Sequence, residues 1–288
     1  MSERPLVLLV TFAFMPEGET GGELLVAELA DRGIAARWVV WDDPHVDWQA
    51  ADLIAVRSTW DYHRRAGEFL AWARSVDDRL LNGAATFAWN ADKGYLVELA
   101  GHVPTVPTRR VEDRSEALRA ALAEELARWG AVVVKPVTGA GGVGVCVVET
   151  ALDDRLIGLT AGPWVVQPLV ASIATDGESS VYLFDGEPVV QVDKLPGVDD
   201  IRVHGQYGGS TRVVDLNSER VEVARAAVAA AGRLLGRRPA YARVDLLRHD
   251  GRWCVSELEL IEPGLYLDVL PENAARFADL VAGVLVGR

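Results

Sequence analysis

The sequence predicts an α/β chain: a small parallel sheet at its N-terminal end, and α+β structure after it. Three observations carry this. Apolar runs at 5–12, 35–41 and 53–57 alternate with helical patterns at 23–32 and 64–76. Strand–helix–strand order implies parallel strands joined by right-handed crossovers. Further on, two pairs of apolar segments are joined by turn dipeptides, Asp185-Gly186 and Asp250-Gly251, and read as antiparallel hairpins. Between these regions, 131–148 reads as strand, glycine loop, strand.

The 288 residues suggest about two domains. Half of them are apolar, enough for a sizeable core. A net charge of −13 disfavours a nucleic-acid partner, because phosphate binding needs a basic surface. Cys146 and Cys254 sit among strand apolars and read as small core residues. There is no disulfide framework and no cysteine spacing of metal type. No basic–apolar–small leader pattern and no membrane-length apolar run occurs. A cytoplasmic protein without a membrane partner is expected.

Taken in order, the first strand is continuous in its apolar residues, as in a strand buried on both faces. The first helix has Leu24, Leu25 and Leu29 at helical spacing and stops at Gly33. Ligands of parallel sheets bind beyond the carboxyl ends of the strands. Those ends carry Thr11, Phe12 and Phe14, then Trp41-Asp42-Asp43, then Arg57-Ser58-Thr59-Trp60-Asp61-Tyr62. Arg57, Ser58, Trp60 and Tyr62 are the substrate candidates, with Arg57 able to fork onto a carboxylate. A loop packed around Trp60 is the plainer alternative.

Asn90 or Asp92 is expected to cap a helix carrying Tyr95, Leu96 and Leu99. Lys93 then falls where the helix dipole disfavours a cation, which an anionic ligand would relieve. Residues 102–107 form a proline-marked break. Ser115 caps a helix that runs to Trp129 and ends at Gly130. In the glycine loop, Thr138, Gly139, Gly141, Gly142 and Gly144 let backbone amides approach phosphates, and Lys135 stands on the strand before it. A strand follows the loop, which excludes both the Walker loop and the dinucleotide fingerprint. Residues 152–159 read as a short helix and 164–170 as a strand ending at Pro168. Lys194 precedes a long polar segment with Arg202, His204, Gly208 and Gly209, which is expected to be a loop of binding type. His204 is either a base or, more plainly, a solvated loop histidine. Asn217 caps a helix ending near Leu235, and the final helix runs over 272–286.

The hairpin at 241–259 organises the chain. Alternation puts Arg243 and Asp245 on one face of their strand, and Glu257 and Glu259 on one face of theirs. A two-residue loop alone would put the carboxylates on opposite faces, whereas an odd loop or one bulge makes all four groups converge. An odd loop is expected. Converging carboxylates repel and want a hard divalent cation with oxygen ligands, magnesium or manganese. Arg243 would face the same phosphates. A solvated hairpin face fits poorly, because Leu246, Leu247, Val255, Leu258, Leu260 and Ile261 mark both strands as buried.

The ordered set of Arg57-Ser58-x-Trp60, Asp92-Lys93-x-Tyr95-Leu96, Lys135 with its glycine loop, Gln167-Pro168-Leu169-Val170, Arg243-Val244-Asp245-Leu246 and Glu257-x-Glu259-x-x-Glu262-Pro263 resembles the ATP-grasp superfamily. The likeness covers nearly the whole chain. It lies with the ligases of glutathione synthetase and D-alanine–D-alanine ligase type and is nearest to the O-ureido-serine cyclo-ligases. The resemblance implies an ATP-grasp fold, with 1–90 as a substrate domain, 91–170 as a lid subdomain with the flap, and 171–288 as the metal-bearing subdomain. It implies that Lys93 and Lys135 hold ATP, with Thr138 to Gly144 as flap. The backbone of Gln167, Pro168, Leu169 and Val170 would read adenine, and Glu178 the ribose. Lys194 is counted with these nucleotide residues. Asp245, Glu257 and Glu259 would hold two Mg2+ ions, with Mn2+ as substitute, and Arg243 and Arg202 would stabilise the transferring phosphoryl. Glu259 stands where many members have Asn, which adds a negative charge.

The activity implied is ATP-dependent joining of a small-molecule carboxylate to an amine through an acyl phosphate. The alternatives are an intramolecular cyclo-ligase of antibiotic biosynthesis and a nucleotide-binding protein without turnover. A homodimer is the family's implication. Specificity is assigned to the N-terminal strand-end loops and to 195–212.

Overall fold

The computed structural model describes residues 4–112, 115–158, 162–198 and 200–287. Its first sheet is parallel, in the order β2-β1-β3, from β1 (Leu6–Thr11), β2 (Ala35–Val40) and β3 (Leu53–Ser58), with α1 (Glu23–Asp31) between β1 and β2. The unbroken apolar run of β1 is explained by its two buried faces. Val7 and Leu9 meet α1, and Leu8 and Val10 meet α2 (Ala66–Ser75) and α3 (Ala84–Asn90). The sequence reading left α3 out, since Trp89 and Asn90 read there as the approach to α4 (Tyr95–Leu99).

A second sheet is antiparallel, in the order β4-β7-β5-β6, from β4 (Arg109–Val111), β5 (Val132–Pro136), β6 (Cys146–Val148) and β7 (Trp164–Pro168), under α5 (Ser115–Trp129). It has its own core, with Leu118, Leu122, Val132, Val134, Val148 and Trp164. β4 follows the 102–107 break and is too short to show a period. α5 starts at Ser115 itself, so that residue is helical rather than a cap. The helix expected at 152–159 is one 3-10 turn over Asp154–Gly158, and Leu159 lies outside the described residues.

The third sheet runs β10-β9-β8-β11-β12, all antiparallel, from β8 (Glu178–Phe184), β9 (Glu187–Leu195), β10 (Ser210–Val214), β11 (Tyr241–His249) and β12 (Arg252–Glu259). α6 (Ser218–Leu235) and α7 (Glu272–Val286) complete it. The Asn217 carboxamide caps α6 by accepting from the Arg220 N–H. One face buries Tyr182, Phe184 and Tyr241 against the first sheet and α7. The other buries Val181, Ala242, Val244 and Leu246 against α6 and α4. β10 is half-exposed and mostly polar, which is why it read as loop.

The hairpin loop corrects an expectation. It is even, not odd: His249 pairs with Arg252, and Asp250 and Gly251 take φ of 50° and 79°, as a type I′ turn requires. The shift comes from a bulge. Leu246 pairs with Val255 and Asp245 with Glu257, leaving Ser256 as the extra residue.

The outer edge of β12 is closed by side chains. Asn90 donates to Leu258 O at 2.7 Å and accepts from Leu260 N at 2.8 Å. The Tyr95 hydroxyl donates to Leu258 O at 2.9 Å and accepts from its N–H at 2.8 Å. Asn90 therefore pairs with a strand and does not cap α4, whose N-cap is Gly94; Asp92 accepts from the Gly94 N–H at 2.8 Å. Buried Asn82, with φ of 68°, clasps the neighbouring strand ends: it donates to Tyr241 O at 3.0 Å and Leu260 O at 2.9 Å, and accepts from Ala240 N at 2.7 Å. Asn82→Ala strands three buried backbone groups in a left-handed conformation, so urea unfolding is expected to show a loss of about 3 kcal/mol. A change within a few tenths would mean water replaces the clasp. No helix among the described residues is long and apolar enough to cross a membrane.

Candidate active site

The Ser256 bulge decides what the third sheet can do. Ala242, Val244, Leu246, Leu258 and Leu260 all turn to the α6 side. The register therefore sets Arg243, Asp245, Glu257 and Glu259 together on the opposite face, Arg243 across from Glu259 and Asp245 across from Glu257. Arg243 Nε and Nη2 donate to Asp245 Oδ1 and Oδ2, each at 2.9 Å, and Nη2 also donates to Glu259. The Ser180 hydroxyl donates to Asp245. Beneath, Lys194 Nζ lies 2.6 Å from Glu178 and 3.6 Å from Asp245. Lys93 Nζ reaches in from the start of α4 to Glu257, 2.6 Å away, and donates to Gly139 O at 3.0 Å.

The electrostatics follow from burial and pairing. Burial opposes the charge on Asp245, but Arg243 and Lys194 outweigh it and hold that carboxyl well below its usual range. Glu257 is lowered despite burial, by Lys93 and then Lys135. Glu259 is pushed up to about 7, first by burial and then by Asp245 and Glu257, which Arg243 only partly offsets. Lys135 has no hydrogen bond or ion pair among the described residues, and burial depresses its ammonium. His204 is lowered to about 4, by burial and then by Lys194 and Arg243. It is therefore neutral and enclosed at neutral pH, not a solvated loop side chain.

Lys93, Lys135, Glu178, His204, Arg243, Asp245, Glu257 and Glu259 line one cavity of about 1040 Å³. Gly139, Gly141 and Gly142 form its roof, and Arg202 lines it from the 195–212 segment. Gly141 and Gly142 have φ of 59° and 72°, and a Cβ on Gly142 would stand 3.0 Å from Arg202 Cδ. Arg202 is forked onto Asp200 at 2.5 to 3.0 Å and stacked on Tyr207. At the end of β7, Gln167 Nε2 donates to Thr108 Oγ1 at 2.9 Å, Leu169 N donates to Ala131 O, and Val170 O accepts from Ile173 N. The Leu169 carbonyl and the Val170 N–H have no partner among the described residues. They offer an adjacent acceptor and donor.

Of the candidate residues, Trp60, Tyr62, Glu178, Pro168, Leu169 and Val170 line the cavity. Other expected residues do not. Thr138 and Gly144 belong to the flap loop but not to the cavity wall, and Lys194 lies under the floor. Arg57 is 0% exposed. Its Nη2 donates to Pro263 O, and its guanidinium lies 5.1 Å from the Tyr241 ring and 4.6 Å from the Phe277 ring. Ser58 is buried, donating to Thr11 Oγ1 at 2.9 Å. Both are one turn of the backbone too deep, because β3 runs through Ser58 before the chain emerges at Trp60.

What Arg57 holds is a strap. Five consecutive carbonyls after β12 are each taken by a side chain from elsewhere. Ile261 O accepts from the Tyr241 hydroxyl at 2.6 Å, Glu262 O from Trp60 Nε1 at 3.3 Å, and Pro263 O from Arg57. Gly264 O accepts from the Tyr182 hydroxyl at 2.6 Å and Leu265 O from Asn273 at 3.0 Å. The Leu265 N–H donates to Glu19 Oε2 at 2.8 Å. Glu19 and Glu262 both line the cavity, and the sequence reading assigned neither. One signal was available: the chain has three lysines among 29 basic residues, Lys93, Lys135 and Lys194, and all three meet here.

Residues 7–82 match the model of the D-cycloserine synthetase DcsG N-terminal domain, and residues 99–235 that of the prokaryotic glutathione synthetase ATP-grasp domain. Over 266 residues the chain is 34% identical to the cycloserine biosynthesis protein DcsG of Streptomyces lavendulae, covering 87% of this chain and 89% of that one. The chain belongs to the ATP-grasp ligases. Membership of this family implies use of ATP and of a divalent metal ion. The crystal structure of D-cycloserine synthetase DcsG superposes with a TM-score of 0.86 at 32% identity, covering 97% of this chain and 99% of that one. D-alanine–D-alanine ligase from Bacillus anthracis, complexed with ATP, gives 0.71 at 16% identity over 99% and 98% of the two chains, a likeness of fold alone.

The residues of this ATP-grasp ligase fit a divalent ion by the chemistry of the donor set. Asp245, Glu257 and Glu259 offer oxygens only, on one face, and burial together with repulsion from the other two keeps Glu259 near 7. Among the described residues no three such groups are closed on a single point. The protein's own Arg243 and Lys93 stand among them.

Glu19 gives a pH prediction. Burial raises its carboxyl from 4.5 to about 7, Arg57 only partly opposing. A raised acid stabilises the fold while protonated, so this contribution is full below about 4.5 and is lost as pH rises through about 7. Glu19→Gln keeps an acceptor for Leu265 N without the charge. Urea unfolding is expected to find the variant more stable than wild type at pH 8, by up to about 3 kcal/mol, and equal to it at pH 4. An equal difference at both pH values would refute the shift.

Proposed function

We propose that this ligase joins a carboxylate to an amine on amino-acid-like small molecules, with ATP converted to ADP and phosphate. The observation that carries it is the placement of the unpartnered Lys135 ammonium in one cavity with Asp245, Glu257 and Glu259. An enclosed cation without a partner calls for an anion, and clustered carboxylates call for cations. Magnesium-bound ATP brings both.

In this reading residues 1–90 hold substrate, 91–170 form the lid and 171–288 carry the metal residues. Lys93 and Lys135 hold the phosphates, with the amides of Gly139, Gly141 and Gly142 above them. The Leu169 carbonyl and Val170 N–H suit the donor–acceptor edge of adenine, and Glu178 the ribose hydroxyls. Asp245, Glu257 and Glu259 would hold two Mg2+ ions, which supply charge neutralisation on the phosphate oxygens. A substrate carboxylate oxygen bonds to the γ-phosphorus as the bond to ADP breaks. The amine nitrogen then bonds to the acyl carbon as phosphate leaves. Little covalent work falls to the protein, so Arg243 and Arg202 act by charge and position, and the glycine roof keeps water from the acyl phosphate.

The relation to DcsG, 34% over 266 residues, favours a ring-closing version in which one molecule supplies both carboxylate and amine. ADP release with Mg-ATP, against D- and L-amino acids singly and in pairs, tests both. Stimulation by a pair supports the intermolecular ligase. Stimulation by one compound, with a product lighter by one water, supports ring closure. Bound ATP with no stimulation across the panel would count against the proposal.

A further inference from the structure

One cavity side chain has no part in holding nucleotide or metal. His63 lines the cavity from the 3-10 turn Tyr62–Arg65 after β3, and it is half-buried. Its Nδ1 lies 3.1 Å from the Trp60 carbonyl oxygen. A carbonyl can only accept, so Nδ1 carries the proton. In the neutral ring Nε2 is then left with a bare lone pair. Nε2 has no hydrogen-bond partner among the described residues and is not sealed from the cavity.

The ring is also held in place. Trp60 is pinned to the strap, its Nε1 donating to Glu262 O at 3.3 Å. Tyr62 meets the imidazole edge-on, 6.5 Å between ring centres, and is itself packed on Phe69 at 5.0 Å. Burial lowers the imidazole from its ordinary 6.5, against the Trp60 carbonyl; Arg64 and Lys93 lower it further, and Asp61 opposes them. The ring is therefore neutral at neutral pH.

Joining an amine to an acyl carbon needs a proton acceptor. Asp245 and Glu257 are committed to Arg243, Lys194 and Lys93, and His204 is held at about 4. Such groups take a proton poorly at neutral pH. We propose that His63 is the general base of the amine step. This rests on the ligase reading and adds a residue to it. As the amine nitrogen bonds to the acyl carbon, Nε2 takes a proton from that nitrogen. The bond from the acyl carbon to the phosphate oxygen breaks with its electron pair, and phosphate leaves. The imidazolium, steadied by the Trp60 carbonyl, passes its proton to water. Forming the acyl phosphate takes no proton from the amine, so His63 serves the second half of the reaction alone.

The test uses the full chain with Mg-ATP and the panel of D- and L-amino acids, with and without added hydroxylamine. Hydroxylamine is unprotonated at neutral pH and captures an acyl phosphate without a base. His63→Asn keeps an N–H for the Trp60 carbonyl and removes Nε2. The variant is expected to form amide about 10²-fold more slowly or worse, and hydroxamate at the wild-type rate. Wild-type amide formation should fall in acid with a midpoint below 6.5, and the variant should lose that limb. Added imidazole should restore part of its rate. Heteronuclear NMR of the wild-type imidazoles should find the proton of His63 on Nδ1, a result that does not depend on any variant folding. An unchanged amide rate would overturn the proposal, as would equal loss of amide and hydroxamate, which marks a structural residue. So would a proton on Nε2, or an acid limb that survives in His63→Asn and disappears in Glu19→Gln. Each of these spares the ligase, because wild type still makes hydroxamate. Wild type that makes neither amide nor hydroxamate across the panel would sink the ligase reading, and the base with it.

Discussion

Lys135→Ala is expected to end ADP formation and leave the fold intact. The side chain sits on β5 within the cavity wall, and nothing among the described residues pairs with it. Burial already works against its charge. Without an anionic ligand the ammonium is a liability, so its removal should leave thermal stability unchanged or raised. In the proposed reading, ATP supplies the anion that this ammonium lacks. Removing one such preorganised donor typically costs about 10²- to 10³-fold in kcat. The coupled ADP assay and a thermal melt on the same sample check both halves. Normal turnover would remove Lys135 from the site; a collapsed melt would make it structural.

Glu257→Gln should lose activity as well, but with the opposite effect on stability. Its carboxylate holds Lys93 at 2.6 Å with side chains 13% and 27% exposed. A neutral amide leaves that ammonium enclosed without a counter-charge, a loss of about 3 kcal/mol for a pair buried to this degree. Glu257 is lowered in the folded chain, so its contribution is present above the ordinary value of 4.5 and is lost as pH falls below it. The gap between variant and wild type should therefore close in acid. Metal affinity should fall by about 10²-fold or more, since even groups behind a ligand cost 10- to 100-fold. Two activity-null variants with opposite stability changes distinguish a ligand-waiting cation from a paired anion; equal melts for both would deny that distinction.

The α/β order, the two hairpins and the glycine loop were legible because each rests on local pattern. The convergence of Arg243, Asp245, Glu257 and Glu259 was legible too, but the device was not. Asp250-Gly251 announced a two-residue turn, and the parity was restored by Ser256, a residue with no bulge signature of its own. Arg57 misled because a cation at a strand end reads as a ligand group; its use on the Pro263 carbonyl depends on a contact 206 residues away. Glu19 was missed, and Glu262 was named without a role, for the same reason. Single acids in a loop and after a strand have no period, and only the tertiary fold encloses them. β10 and α3 escaped because a polar edge strand and a two-turn helix leave no apolar rhythm.

The strap also decides which parts of the molecule move together. By fastening Ile261 to Leu265 to β3, β8, β11 and α7, it welds the first and third sheets into one anvil with a shared core. The second sheet has a core of its own and meets that anvil through a small apolar cluster of Val106, Val170 and Cys254 and through polar contacts of its loops with Lys93, Gln206 and Tyr207. Opening of the cavity is therefore expected to fall to the half that carries Lys135 and the glycine roof. In the proposed reading the substrate end stays fixed, and the phosphates are brought to it like a hammer to a fixed die. In hydrogen exchange, the amides of β12 should outlast those of β5 and β6, and nucleotide should slow the latter alone.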